Sequence, residues 1–238
     1  LAGTSVVAGY DFANDDAHPN DDHGHGTHVT GTIAQSTNNG TGVAGVAYGT
    51  SIMPVKVLTS AGSGTIADIA EGIYFAADNG ADVINMSFGT VLPSATLEDA
   101  VNYAHGTRGV TLVCAAGNYG NTISLPVYPA AYENCIAVGA TRYDETRSFY
   151  SNTGLYLDLA APGGDLDVDQ NNDQYGDGVL QQTFSSDPAV FSYWFWQGTS
   201  MAAPHVSGVS ALLIAQGITG PDNVREALQS TAEDKGPA

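Results

Sequence analysis

The stretch that decides the fold is Gly198-Thr199-Ser200-Met201-Ala202-Ala203-Pro204-His205-Val206-Ser207-Gly208, followed by the apolar run from Val209 to Ala215. A glycine turn that leads into a long apolar segment predicts a buried helix beginning near Ser200. Unpaired backbone N–H groups and the positive end of the helix dipole meet at such a start, and both favour negative charge there. Ser200 is therefore a candidate nucleophile for acyl transfer, unless its hydroxyl only caps the helix.

Length and charge narrow the class of protein. The 238 residues fit a single domain, 1–238, and no apolar run approaches the ~20 residues of a membrane span. The first residue, Leu1, does not open a signal peptide. With 25 acidic and 6 basic residues, the formal net charge of -19 makes nucleic acid and anionic membranes poor partners and divalent cations good ones. The same excess also suits a solvated surface in salty surroundings.

The two cysteines, Cys114 and Cys135, each lie in an apolar run rich in β-branched residues. Such positions favour buried thiols that pack as small hydrophobic groups. A disulfide between neighbouring strands is the alternative in an oxidising, extracellular setting.

Apolar strands alternate with helices along the chain. We predict strands at residues 5–10, 51–58, 82–88, 109–116, 135–140 and 155–160. Helices are predicted at residues 25–35, after Gly64, at 94–105, from Ser200 and from Pro221. Strands that are apolar throughout and alternate with helices indicate an α/β fold of three layers around a mostly parallel central sheet.

Two further motifs accompany the serine motif. They are His25-Gly26-Thr27-His28-Val29-Thr30-Gly31 and Ala115-Ala116-Gly117-Asn118. Together the three motifs, in this order, resemble the histidine, oxyanion and nucleophile motifs of the subtilases, the subtilisin-like serine proteases of peptidase family S8. The resemblance extends over nearly the whole chain and implies a secreted endopeptidase.

The resemblance implies a role for each motif. Ser200 would be the nucleophile, His25 the general base that takes its proton, and Asn118 the side-chain donor that stabilises the tetrahedral oxyanion. We expect His28 and His205 to serve packing and hydrogen bonding.

The resemblance also implies a peptide or protein substrate bound between two strand-like segments. A first pocket with small, apolar walls and no acidic residue predicts a preference for large apolar side chains, not basic ones. The predicted substrate-binding residues are Gly62, Ser63, Gly64, Ser87, Phe88, Gly89, Ala115, Ala116, Gly117 and Val127.

Acidic residues at alternate positions predict a calcium site. Residues 169–177 place oxygen ligands at every second position, as in an EF-hand loop, although Gln174 replaces the usual glycine and Leu180 the final glutamate. A solvated acidic loop is the alternative. The predicted ligands are Asp165, Asp167, Asp169, Asn171, Asp173, Tyr175 and Asp177.

A second calcium loop is implied by resemblance to thermitase-like members of the family. It lies upstream of the histidine motif, and its ligands would be Asp11, Asn14, Asp16 and Asn20.

One family motif, a strand ending in Asp-Ser/Thr-Gly, has no counterpart here. Leu1-Ala2-Gly3 resembles the residues just after it, so we expect the catalytic aspartate and its strand to precede Leu1. The closing glycine-rich segment and last helix of the family are also absent. A second polypeptide or self-association would then have to supply the missing strand, since its loss leaves sheet edges unpaired.

Other classes of protein fit less well. An α/β-hydrolase requires Gly-x-Ser-x-Gly, whereas Ala202 stands at the last glycine, and the strand pattern does not match a trypsin-like protease. The remaining rival is a catalytically silent, calcium-stabilised fragment that keeps the peptide groove.

Overall fold

The computed structural model describes residues 3–120 and 125–235. Residues 1 and 2 of the Leu1-Ala2-Gly3 motif lie outside these ranges. The strands are β1 (Ser5–Val6), β2 (Tyr10–Asp11), β3 (Ser51–Ile52), β4 (Val55–Lys56), β5 (Val83–Met86), β6 (Thr111–Ala115), β7 (Ile136–Thr141), β8 (Leu159–Pro162), β9 (Val179–Thr183) and β10 (Ser192–Trp196). The helices are α1 (His25–Ala34), α2 (Ile66–Asp78), α3 (Ala95–Asn102), α4 (Thr199–Ala215) and α5 (Pro221–Thr231).

The largest sheet is parallel, in the order β5-β6-β7-β8. Its strands carry apolar side chains toward both faces, and every residue of β6 is buried. One face packs against α2 and α3, and the other against α4 and α5. The expected three-layer α/β architecture is therefore confirmed, with β9 and β10 forming a separate antiparallel hairpin. No helix in the described ranges is long and apolar enough to cross a membrane.

The first four strands form two short parallel pairs, β1 with β3 and β2 with β4. Ser5 pairs with Ser51 but Tyr10 pairs with Val55. The segment that connects β1 to β2 is therefore one residue longer than the segment that connects β3 to β4. That extra residue breaks the two predicted strands, 5–10 and 51–58, into two-residue pieces.

A cavity of about 2440 Å³ lies between β4 and β5 and is partly open to solvent. Val55 lines one side and Ile84 the other, while Ile73 of α2 and Ala211 of α4 also line it. The edge of β5 that faces away from β6 has no strand partner among the described residues.

Three local predictions were wrong. The strand predicted at 155–160 begins only at Leu159, because a turn closed by the Leu157 N–H on the Gly154 carbonyl occupies its first half. The helix predicted at 94–105 ends at Asn102 and continues as a π-helical turn, Tyr103–Thr107. The β9–β10 hairpin was not predicted.

The two cysteines are free, buried thiols in contact with each other. Burial and the neighbouring Cys135 thiol raise the pKa of Cys114 well above its usual value. The structure therefore has the buried thiols and not the disulfide.

Candidate active site

Ser200 lies in the first turn of α4, beside the end of β5. Its hydroxyl donates a hydrogen bond to the Ser87 carbonyl oxygen at 3.1 Å. Pro204 has no N–H to donate to the Ser200 carbonyl four residues earlier, and the Ser87 hydroxyl donates to that carbonyl instead, at 2.9 Å. This reciprocal pair fixes the start of α4 on the carboxyl end of β5.

The Asn118 side chain is oriented by Thr199. Asn118 Oδ1 accepts hydrogen bonds from Thr199 N at 2.8 Å and Thr199 Oγ1 at 2.9 Å, which leaves its Nδ2 free among the described residues. A β-carbon placed on Gly198 would lie 3.3 Å from Asn118 Nδ2 and 3.6 Å from Ser200 N. No described residue accepts a hydrogen bond from that Ser200 N–H either. Two donors that no described residue uses thus lie near the same point, beside Gly198 and next to Ser200 in the chain, as an oxyanion site requires.

His25 is the first residue of α1. The helix has no capping side chain at Gly24, but the Asp21 carboxylate accepts hydrogen bonds from the backbone N–H groups of His23, Gly24 and Thr27. Burial and the neighbouring His23 lower the pKa of His25, against the opposing effect of Asp21. In the part of the chain that the structure describes, no hydrogen bond joins the His25 ring to Ser200 or to a carboxylate.

His28 anchors the β9–β10 hairpin to α1. Its Nε2 lies 3.0 Å from the Val179 carbonyl and 3.2 Å from the Trp194 carbonyl. The Trp196 ring stacks on His28 with centroids 5.0 Å apart and planes at 5°, and it also reaches His25 at 6.2 Å. The sequence predicted a packing role for His28, but the hairpin that it holds against the histidine motif was missed.

The residues predicted to line the first pocket pack around Val127, which is buried. A β-carbon on Gly89 would approach Val127 Cγ1 to 2.4 Å, and one on Gly117 would approach its Cγ2 to 2.7 Å. Only glycine fits at 89 and 117, because the Val127 side chain lies so close to both. Gly89, Gly117 and Val127, which were predicted to belong to the same pocket, are therefore neighbours. The Ser87 side chain is buried and faces α4, so a peptide would meet this residue through its backbone.

The predicted segment Gly62-Ser63-Gly64 is exposed and lies beside the histidine loop. A β-carbon on Gly62 would be 3.3 Å from His23 Nε2, and one on Gly64 would overlap the Val57 carbonyl at 2.2 Å. This edge is thus open to solvent where a peptide could pair with it.

The predicted calcium loop at 169–177 is stabilised by its own side chains. Asp169 Oδ1 and Asn171 Oδ1 both accept a hydrogen bond from the Asp173 N–H, and Asp173 Oδ1 accepts one from the Tyr175 N–H. Asp177 is buried and its Oδ1 has no hydrogen-bond partner. These oxygens suit a calcium ion.

Asp165 is less suited to the same site. It is buried, its Oδ1 accepts a hydrogen bond from the Asp167 N–H at 3.1 Å, and its Oδ2 lies 3.5 Å from the guanidinium of Arg142. A cationic side chain therefore already neutralises this carboxylate.

The side chain of Lys56 lies against the upstream acidic loop. Lys56 Nζ lies 3.2 Å from Asp11 Oδ2, and both oxygens of Asp11 also accept hydrogen bonds from Asn14. Burial raises the pKa of Asp11, but these contacts outweigh burial and hold it below its usual value. Asp16 Oδ1 accepts the His18 N–H, and the Asn20 N–H binds the His18 carbonyl. Within the described ranges, no three His, Cys, Asp or Glu residues form a group that could hold a metal ion, in this loop or elsewhere.

A serine hydroxyl at a helix start, near one backbone and one amide donor at the carboxyl edge of a parallel sheet, is an arrangement typical of α/β proteins with a nucleophilic serine. The comparisons make the family specific. The Subtilase family model matches residues 2–238, so the chain belongs to the subtilases, and its fold is the subtilisin-like α/β fold.

The relatives are named proteases. The chain is 44% identical to the thermophilic serine proteinase of Bacillus sp. (strain AK1), over 96% of this chain and 51% of that protein. It is 43% identical to thermitase of Thermoactinomyces vulgaris, over 98% of this chain and 75% of thermitase. A solved protease of Pseudoalteromonas arctica PAMC 21717 superposes with a TM-score of 0.83 at 37% identity, over 97% of this chain and 78% of that one. The chain thus spans about half the length of the Bacillus relative.

Proposed function

We propose that this protein is a serine endopeptidase that hydrolyses peptide bonds in peptide or protein substrates outside the cell. The observation that carries the proposal is that Asn118 Nδ2 and the Ser200 N–H, both without an acceptor among the described residues, lie near the same point beside Gly198. Family membership supports the same activity.

In the proposed reaction the Ser200 hydroxyl breaks its hydrogen bond to the Ser87 carbonyl. Its oxygen then attacks the scissile carbonyl while its proton passes to His25. The carbonyl oxygen becomes an oxyanion that accepts hydrogen bonds from Asn118 and from the Ser200 N–H. His25 then protonates the leaving amine, and a water molecule releases the acyl group by the reverse sequence. Because its pKa lies below the ordinary value, His25 is neutral at pH 7, as a base must be.

The pocket around Val127 supports a preference for apolar side chains. The residues predicted to form its walls are glycines and alanines, and they pack around the buried Val127. No carboxylate is among the residues assigned to this pocket, so a basic side chain would bury its charge there without a partner.

The cavity between β4 and β5 is proposed to take an extended strand of polypeptide. Two strand edges face it, and α2 and α4 would cover both faces of anything between them, so an apolar strand fits better than a loop. The occupant would be a polypeptide segment outside the described residues, from the same protein, from a second polypeptide or from a second copy of this chain. It could also bring the carboxylate that orients the His25 ring.

Labelling with a fluorophosphonate tests the proposed chemistry. The active protein is expected to gain one adduct in its intact mass, and Ser200→Ala to gain none, because the reagent reacts only with an activated serine beside an oxyanion site. An adduct that persists in Ser200→Ala, or no adduct on a folded wild-type chain, would contradict the assignment and favour a silent peptide-binding protein.

Whether the cavity between β4 and β5 takes up an added strand is tested separately. Sedimentation gives the oligomeric state of the labelled sample. A monomeric 238-residue chain that reacts as fast as thermitase would show that no added strand is required.

Calcium is proposed to bind the 169–177 loop. Asp169, Asn171, Asp173 and Asp177 would have to move closer together to hold the ion, because the described carboxylates of this loop do not form a metal-binding group. Their oxygens are the ligands that calcium prefers, and among the described residues Asp177 Oδ1 is buried without a donor. The upstream loop is the weaker candidate, since Lys56 already occupies its carboxylate Asp11.

Chelation tests the calcium proposal. Excess chelator is expected to lower the melting temperature by several degrees, because an ion bound only by the folded state stabilises it. In Asp177→Asn the calcium dependence should weaken more than in Asp16→Asn, the matched change in the upstream loop. An unchanged melting temperature in the wild type would contradict calcium binding.

A further inference from the structure

We propose that Asn152 is a positioning residue for the oxyanion donor Asn118, an inference that rests on the proposed function. Asn152 precedes β8 and is only 2% exposed, although its side chain is a polar amide. A buried amide persists where its hydrogen bonds are all used, so its partners indicate its task.

Those partners bracket Asn118 on both sides. Asn152 N donates to the Gly117 carbonyl at 3.0 Å, and Asn152 Oδ1 accepts from the Tyr119 N–H at 2.8 Å. The residue before Asn118 and the residue after it are therefore both bound by the same asparagine.

The Nδ2 end of the Asn152 amide reaches one residue further along the same loop, to Ala116. Asn152 Nδ2 donates to the Tyr156 hydroxyl at 3.3 Å, which in turn donates to the Ala116 carbonyl at 2.9 Å. The amide also lies against Gly117, since a β-carbon there would approach Asn152 Nδ2 to 2.7 Å. Any larger residue at 117 would push the amide away.

Asn118 itself is exposed, and its side chain contacts Thr199 from the opposite direction. Thr199 fixes which way the amide group of Asn118 points, whereas Asn152 fixes where the Asn118 backbone lies. Oxyanion donors act only at correct distance and angle, so loss of the backbone clamp should reach the transition state through Asn118.

Truncation of Asn152 separates this role from a purely structural one. Asn152→Ala leaves the Tyr119 N–H without its partner and should lower kcat about 10- to 100-fold with KM little changed, the size expected for a small misplacement of a catalytic group. In an Asn118→Ala background the same substitution should have almost no further effect on kcat, because the side-chain donor that Asn152 positions is already gone and only the Ser200 N–H remains.

The matched control is Ser210→Ala, which removes the hydrogen bond of another buried side chain, Ser210 Oγ to the Val206 carbonyl, on α4 away from the site. Melting temperatures of all variants show that each is folded at the assay temperature. Asn152→Asp keeps the acceptor for Tyr119 N–H and should recover part of the lost kcat.

Each outcome decides between the possibilities. An equal loss of kcat from Asn152→Ala in both backgrounds would mean that Asn152 has a general structural role. No loss of kcat in the wild-type background would mean that Asn152 has no role. Either result would overturn the inference about Asn152 and leave the oxyanion assignment of Asn118 standing. If Asn118→Ala by itself leaves kcat unchanged, the oxyanion assignment fails and the inference about Asn152 fails with it.

Discussion

Asn118→Ala is expected to lower kcat of the active protein by about 10²- to 10³-fold, with little change in KM. That size is the one measured when subtilisin, a member of the same family, loses its side-chain oxyanion donor. The physical reason is that Asn118 Nδ2 has no acceptor among residues 3–120 and 125–235, so it can contribute a full hydrogen bond only when the oxyanion forms. An interaction made only in the transition state affects kcat and not substrate binding.

Steady-state kinetics on an apolar peptide substrate checks this expectation. Asn134→Ala is the matched control, because it removes an amide that binds only Asn102 on the surface. Wild-type kcat in Asn118→Ala would show that the oxyanion lies elsewhere. A rise in KM at constant kcat would instead place Asn118 in substrate binding.

The helix that carries Ser200 could be predicted because local signals agree there. Gly198, the serine and the apolar run that follows predict a helix start near residue 199, and α4 begins at Thr199. The four strands of the main sheet were also found, because their apolar runs are continuous.

The features that escaped prediction depend on contacts distant in sequence. The β9–β10 hairpin has polar and aromatic residues and is held by His28 and Trp196, which no local pattern connects. Asn152 likewise acts on a loop more than 30 residues away, as its bond to Tyr119 shows. Asp21 also escaped prediction, but it could have been found from the local sequence. An acidic residue shortly before a predicted helix is a recognisable signal for binding the backbone N–H groups at the start of that helix.

The calcium ligands illustrate a different limit. Family resemblance predicted Asp11, and an acidic cluster predicted Asp165, as ligands of a cation, and each does lie beside a cation. In both cases that cation is a side chain, Lys56 or Arg142, which sequence spacing cannot reveal.

His28 should make the fold sensitive to acid. It is fully buried between α1 and the β9–β10 hairpin, and its Nε2 serves two carbonyls while its Nδ1 has no partner. Burial lowers the pKa of His28 to about 4, against the opposing effect of the two carbonyls. The folded state therefore binds this proton less readily than the unfolded chain, where an ordinary histidine has a pKa of ~6.5.

The stability that His28 contributes is accordingly complete above pH 6.5 and is lost as the pH falls through 6.5 toward 4. The difference between the two pKa values corresponds to a loss of roughly 3 kcal/mol in the free energy of unfolding. Urea unfolding at several pH values checks this, with Ser200→Ala as the parent to prevent self-digestion. His28→Gln in that parent should be less stable at pH 7.5, because it loses the stack on Trp196, but its stability should fall less steeply between pH 6.5 and 4.5. Ser210→Ala, which loses a buried hydrogen bond without removing a titrating group, should keep the steep fall. Equal pH slopes in the parent and His28→Gln would mean that other groups cause the acid sensitivity and that His28 is not the residue through which acid opens the hairpin.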